Sequence, residues 1–304
     1  TRLLTAILFL IQRGLSTGLT IYAPSIVLSK VLHWPLGWTC VFIGGLVILY
    51  TTTGGAKAVG VTHKQQMAVM FGGLFIAFFF LLKQIGEHAT LGESLQLAGA
   101  LGRMNIIDTT WDPTTKYTLW SGLIGGFFLQ LSYFGTDQSQ VQRYLGGQTI
   151  RQARVGLITN GLLKIPMQFF ILLIGVLVFV FYLFNAQPIH WNAANVDAMQ
   201  HAENASAHRY TTINGDGIRS IDPPGLPNAT LLEQEHTTNA TALTDAANTW
   251  VQAHRSNLTT DNSELTALLA KDNALREAYR AEIKADLVGA ELNDKDYIFI
   301  TWVM

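Results

Sequence analysis

The chain has 304 residues, of which 49% are hydrophobic and only 13% charged, with a mean hydropathy of +0.26. Soluble domains carry about 25% charged residues, so this composition argues against an ordinary cytosolic enzyme and for a membrane protein. The net charge of −1 hides a division: residues 1–185 hold 12 Lys and Arg against 5 Asp and Glu, whereas residues 186–304 hold 8 against 16. Two different solvents are addressed by one chain.

A helix that crosses a bilayer needs about 20 mostly apolar residues. Five such spans are predicted within a transmembrane bundle over 1–185, at about 3–28, 36–52, 65–83, 117–138 and 155–183. The first is interrupted only by Arg13, and the second lies in Trp34–Ala56, which has no Asp, Glu, Lys or Arg. The runs are too long for barrel strands and lack period-2 alternation. Between the second and third spans, YTTTGGAKAV (Tyr50–Val59) reads as a tight, glycine-bent connection. It is not a phosphate loop, because the Gly-x4-Gly-Lys-Ser/Thr spacing is missing.

The connections set the orientation. Lys57, His63 and Lys64 lie between the second and third spans, and Arg143, Arg151 and Arg154 between the fourth and fifth. The stretch His88–Lys116 carries Glu93, Asp108 and Asp112 against Arg103 and Lys116. By the positive-inside rule the two basic connections face the cytoplasm, and the chain emerges outside after the fifth span. Residues 186–295 are then an extracytoplasmic insertion, irregular over Asn185–Pro227 and helical beyond Thr230, where Leu265, Leu268, Leu269, Leu275, Tyr279 and Ile283 recur at helical spacing. Asn204, Asn228, Asn239 and Asn257 begin N-x-S/T triplets, which are inert in a bacterial protein. Residues 296–304 (DYIFITWVM) read as the start of a further, truncated span, and the chain as an internal fragment. The single cysteine, Cys40, reads as a small buried hydrophobe.

Polar groups within a span are costly and mark candidate function. Arg13 sits about ten residues into the first span beside Gln12, Ser16 and Thr17, either bracing helices or facing a wet pathway. Lys164 lies at a similar depth in the fifth, followed by Pro166, about 15 Å from the span's start and too far in to snorkel fully. It lines a hydrated pathway or belongs to an internal ion pair. In the fourth span Gln130, Tyr133 and Asp137 fall at i, i+3 and i+7, one helical face, with Gln138 adjoining. An amide, a phenol and a carboxylate on one stripe suit a polyhydroxylated or amide-bearing solute. Gly125, Gly126 and Gly135 either let this helix unwind around substrate or let it pack closely. No nucleophile–base set, metal-ligand spacing or nucleic-acid face is present in the sequence.

Two stretches, YTTTGGAKAVGVTHKQQ (Tyr50–Gln66) and YFGTDQSQVQRYLGG (Tyr133–Gly147), together resemble the best-known segments of the sodium/solute symporter family, and GLLKIPMQFF (Gly161–Phe170) is similar to the segment that follows. The family includes the sodium/glucose, proline, iodide and sialic-acid cotransporters. The resemblance covers Thr1–Leu183 and the final NDKDYIFITWVM. It implies an all-α, leucine-transporter-like inverted-repeat fold, the five spans being its third to seventh core helices, with residues 186–295 inserted before the eighth. It also implies that Tyr133 closes the solute from the cytoplasmic side, that Gln130 is a polar solute-binding position, and that Lys164 lies near the substrate. The principal sodium site uses the first and eighth core helices, neither of them in this chain. Many relatives carry Asp after the threonine that matches Thr62; here that residue is His63. An imidazole does not replace a carboxylate as a hard sodium ligand, so His63 is either a solvated residue or a pH-sensitive element of the ion exit.

The sequence therefore predicts a bacterial plasma-membrane protein that couples sodium to a small polar solute (sugar, sugar acid, polyol or carboxylate) by alternating access, with no nucleic-acid partner. A sensory protein built on a symporter-like membrane module is the alternative.

Overall fold

The computed structural model describes residues 2–32, 34–105, 108–111, 118–135, 137, 141, 149–201, 228–258, 260–287, 290 and 292–303. All regular structure among them is helical. They fall into two compact units, 1–73 and 74–304. Residues 202–227, most of the stretch expected to be irregular, lie outside the described residues, as do Gln138 and Arg143.

The first unit holds α1 (Arg2–Leu32) and the start of α2 (Leu36–Ile85). In α1 the hydroxyls of Thr17 and Ser25 donate to the carbonyls of Arg13 and Ile21 at 2.8 and 2.6 Å. Bonding back to the preceding turn lets such side chains sit in an apolar helix without an unmet donor. Helical geometry in α2 continues through the expected connection and breaks only at Gly55, whose φ of 57° and ψ of −158° suit glycine alone. Just before the break, the Thr52 and Thr53 hydroxyls donate to the carbonyls of Ile48 and Leu49 at 2.8 Å each, so the helix end carries its own hydrogen-bond partners. Among the described residues four helical segments are long and apolar enough to cross a membrane: Arg2–Ser29, Leu36–Gly55, Val59–Ile85 and Ile150–Phe184.

The second unit continues from the end of α2 into α3 (Leu91–Ala100), α4 (Leu119–Gly135) and α5 (Ile150–Phe184). There follow α6 (193–201), α7 (Asn228–Arg255), α8 (Ser263–Asp286), one 3-10 turn (Lys295–Tyr297) and α9 (Ile298–Val303). A capping box starts α3: Thr90 N–H donates to Glu93 Oε2 at 2.7 Å, and Glu93 N–H to Thr90 Oγ1 at 3.4 Å. Helix α4 has 17 residues, none of them buried, and its glycines do not interrupt it.

Helix α5 has 35 residues, about 52 Å of helix against a hydrocarbon core of about 30 Å. Its burial is uneven along its length. Almost all of 150–173 is exposed, apart from a few half-buried positions, whereas Ile174, Leu177, Val178, Val180 and 182–184 are buried. The buried end is clasped by α3 and α7, which also meet each other. Helix α7 lies along α8, whose inward face is Leu265, Asp272, Leu275, Arg276, Tyr279 and Ile283. Tyr279 and Ile283 join Ile189, Met199 and Ala229 in the core of this part. Asn239, which begins one of the N-x-T triplets, is buried there and donates from Nδ2 to Leu268 O at 3.1 Å, so it serves packing.

Candidate functional site

Within the membrane segment the sequence-predicted residues occupy separate helices. Gln130 and Tyr133 share the exposed face of α4, with the Tyr133 ring edge-on to Phe134. Asp137 follows the helix end, its N–H donating to Ser132 O at 3.1 Å, and Gln138 lies outside the described residues. Lys164 stands exposed on α5, ten residues from both Arg154 and Ile174, the first buried position of the clasped end. Pro166 within the same helix offers no N–H to the Leu162 carbonyl. Lys164 and the Gln130/Tyr133 face thus stand on two different helices, α5 and α4. Thr62 donates to Val59 O at 3.0 Å, and His63 beside it is exposed. Arg13 is half-buried, its guanidinium 5.5 Å from the centre of the Phe9 ring.

The densest polar chemistry lies where the sequence drew no attention, on α8. Arg276 is buried and saturated: Nε donates to Asp272 Oδ2 at 2.8 Å, Nη1 to Ile189 O at 3.0 Å and Nη2 to Gln187 Oε1 at 2.8 Å. His236 Nε2 on α7 stands 3.0 Å from Asp272 Oδ1 and 3.3 Å from Arg276 Nη2. One ring nitrogen serves one of them. The Asp272 oxygen has no other partner among the described residues, which favours the tautomer with hydrogen on Nε2. Burial pushes the Asp272 carboxyl up, but His236 and Arg276 outweigh it and hold the group below the usual carboxylate range.

One turn further along α8, Arg280 Nη2 donates to Asp294 Oδ1 at 2.9 Å, and the Trp191 N–H donates to Asp294 Oδ2 at 2.9 Å. Asp294 is fully buried; burial raises its carboxyl, and the Trp191 amide, His190 and Arg280 together bring it below the usual value. Burial also lowers the His190 ring, which is therefore neutral at pH 7. Its 3.8 Å approach to Asp294 is not an ion pair, and the carboxylate is compensated by the amide and Arg280. Asp272, Arg276 and Arg280 thus tie α8 to the strand of chain leaving α5 (187–191) and to the residue that precedes the next helix. Their signal in the sequence is their place on the apolar stripe: charges at 272 and 276 fall in register with Leu265, Tyr279 and Ile283.

A cavity of about 420 Å³ opens between these parts. Its floor is the clasped end of α5 (Gly175, Val178, Phe179, Tyr182), and its basic wall is Arg103, Arg276, Arg280 and Lys295, with Asp272 as the only lining carboxylate among the described residues. The Arg103 guanidinium lies 4.6 Å over the Phe179 ring. On the far side of α3, Arg255 grips Glu93 through two bonds of 2.7 and 2.9 Å and also donates to His88 O.

A family model described as the sodium:solute symporter family matches residues 1–221. The sodium/iodide cotransporter of Homo sapiens is 33% identical over 183 residues, 60% of this chain and 28% of that protein. The sodium-coupled monocarboxylate transporter 2 of Mus musculus is 35% identical over 161 residues, 52% of this chain and 25% of that protein. The sodium-dependent multivitamin transporter of Oryctolagus cuniculus is 33% identical over 152 residues, 50% of this chain and 23% of that protein. The chain spans about a quarter of the length of these curated relatives. With most of its length matched and its helices long enough to cross a bilayer several times, the chain belongs to the sodium:solute symporter family.

Proposed function

We propose that the chain is the central part of a sodium-coupled symporter, in which sodium moving down its gradient draws a small solute inward by alternating access. The family match over residues 1–221 carries this reading. The relatives above are named for dependence on sodium, and two of the names specify anions, iodide and a monocarboxylate. Among sugar, sugar acid, polyol and carboxylate, a solute with an acidic group fits best. Lys164 supports that choice: it stands midway along the unclasped part of α5, and an ammonium at half-depth is tolerated where it meets water or an anion. Gln130 and Tyr133 supply a hydrogen-bonding face on α4, with Asp137 and Gln138 at its cytoplasmic end; Arg13, Thr62 and His63 belong to the ion and water path. We place the protein in a bacterial plasma membrane with residues 186–295 outside. The Arg255–Glu93 pair supports the topology behind that orientation, because it requires 88–103 and the insertion to share one side of the bilayer.

Uptake by the full-length protein in proteoliposomes tests the reading. A panel of monocarboxylates, sugar acids, sugars and polyols is offered with and without an inward sodium gradient. Sodium-stimulated accumulation of an acidic solute is expected; accumulation of none, or accumulation indifferent to sodium, overturns it.

A further inference from the structure

We infer that the cavity above α5 is a second, extracytoplasmic binding site for a small organic anion, built by the insertion and separate from the site at Lys164. That the anion is the transported solute rests on the reading above; that the cavity binds a carboxylate does not.

Charge placement carries the first part of the argument. Residues 186–304 hold twice as many acids as bases, a surface that repels anions. Yet three of the eight bases in that stretch, Arg276, Arg280 and Lys295, face this one cavity, where Arg103 joins them from the end of α3. Asp272 is committed to Arg276 and His236, and Asp294 to Arg280 and the Trp191 amide. Arg103 and Lys295 have no carboxylate within ion-pair distance among the described residues. Two cations with spare hydrogen-bond donors therefore flank a pocket whose own acids are already neutralised. A low-dielectric wall beside such a cluster focuses its field and concentrates anions.

Shape and depth supply the rest. The volume of about 420 Å³ lies within the range of small-molecule sites. The floor of Val178, Phe179 and Leu269 offers apolar contact to a short carbon body while the basic wall takes the carboxylate. Because α3 and α7 clasp this end of α5, the cavity stands beyond the hydrocarbon, which favours a dissolved anion over the acyl chain of an anionic lipid.

Binding of radiolabelled butyrate to the full-length transporter, in nanodiscs of zwitterionic lipid and in the absence of sodium, tests the assignment, with butyramide as the uncharged competitor. Saturable binding is expected, displaced by butyrate and not by butyramide. It should weaken about tenfold in R103Q and in K295Q, the scale of one charge-assisted contact, and survive in K164A. Both substituted side chains are exposed, so folding is not at stake; an unchanged elution profile and unchanged protease protection verify this. No sodium-free binding, binding equal in wild type, R103Q and K295Q, or full displacement by nanodiscs of phosphatidylglycerol overturns the proposal. If the uptake panel finds no acidic solute while this binding persists and depends on Arg103 and Lys295, the cavity stands and the solute reading falls.

Discussion

Replacing Asp294 by asparagine should release the C-terminal end of α5 from α8. The carboxylate is fully buried and accepts from two donors, the Trp191 amide and Arg280 Nη2, both at 2.9 Å. The isosteric amide keeps one acceptor oxygen, so its NH2 must face one of those donors. Removing one partner of a buried pair costs about 3–5 kcal/mol, but the Arg280 side chain is 26% exposed and recovers some hydration. If the amide turns to serve Arg280 instead, the Trp191 N–H is left without an acceptor, at about 1–3 kcal/mol. Across the two cases the loss is about 1–3 kcal/mol, which is roughly 5- to 150-fold in a local opening constant. Hydrogen exchange on the purified full-length protein reads this directly. Amides of 187–192 and of 275–283 should exchange faster by that factor in D294N, while 150–173 stays unchanged and the exposed substitution K284Q has no effect. Acceleration below about threefold at 187–192 would show that the carboxylate does not hold the two segments together.

Gly55→Ala places a side chain where φ is +57°, at a cost of about 1–3 kcal/mol; lower yield of folded protein in the membrane is expected, and wild-type yield would mean that the break moves freely along α2. Acidification should loosen the outer part in two stages. The neutral, buried His190 has a folded value below its ordinary 6.5, so its contribution is complete above that pH and is lost as pH falls below it. Glu93, held at about 2 chiefly by Arg255 and the Thr90 amide, contributes fully above its ordinary 4.5 and loses that contribution as pH falls toward 2. Limited proteolysis between pH 7 and 3 follows both stages, and protection unchanged down to pH 3 contradicts them. Lys164→Ala and Tyr133→Ala should each lower sodium-driven uptake at least tenfold, whereas K284Q should not; equal uptake in all three removes the case for a site at α4 and α5.

The helical, membrane-spanning character was legible because hydropathy dictates it: a bilayer admits helices of a known length, and runs such as Leu3–Leu28 meet that length. What hydropathy misses is where such a helix leaves the bilayer. Residues 174–184 are as apolar as those before them, yet they are buried by α3 and α7, and only the packing distinguishes them. The break in α2 was legible as a glycine pair and not as one residue, because Gly54 and Gly55 differ only in the φ that the fold imposes. The Gln130/Tyr133 face and Lys164 followed from spacing on one helix and depth in another, but spacing within a helix says nothing about which helices face each other.

The insertion shows the same limit from the other side. Its amphipathic helix was visible in Leu265, Leu275, Tyr279 and Ile283, but nothing in the spacing says what Asp272 and Arg276 on that stripe pair with. A charge in register with an apolar face is affordable only when its partner is fixed elsewhere in the fold. Here the partners come from 187–191, from α7 and from Asp294, segments up to 89 positions away along the chain. Those contacts join the chain leaving α5 to the chain entering α9 through one helix face of the insertion. A clasp at that point limits how far α5 can move relative to α9. The buried charges of the insertion, and not its net charge, are therefore the place to perturb its hold on α5.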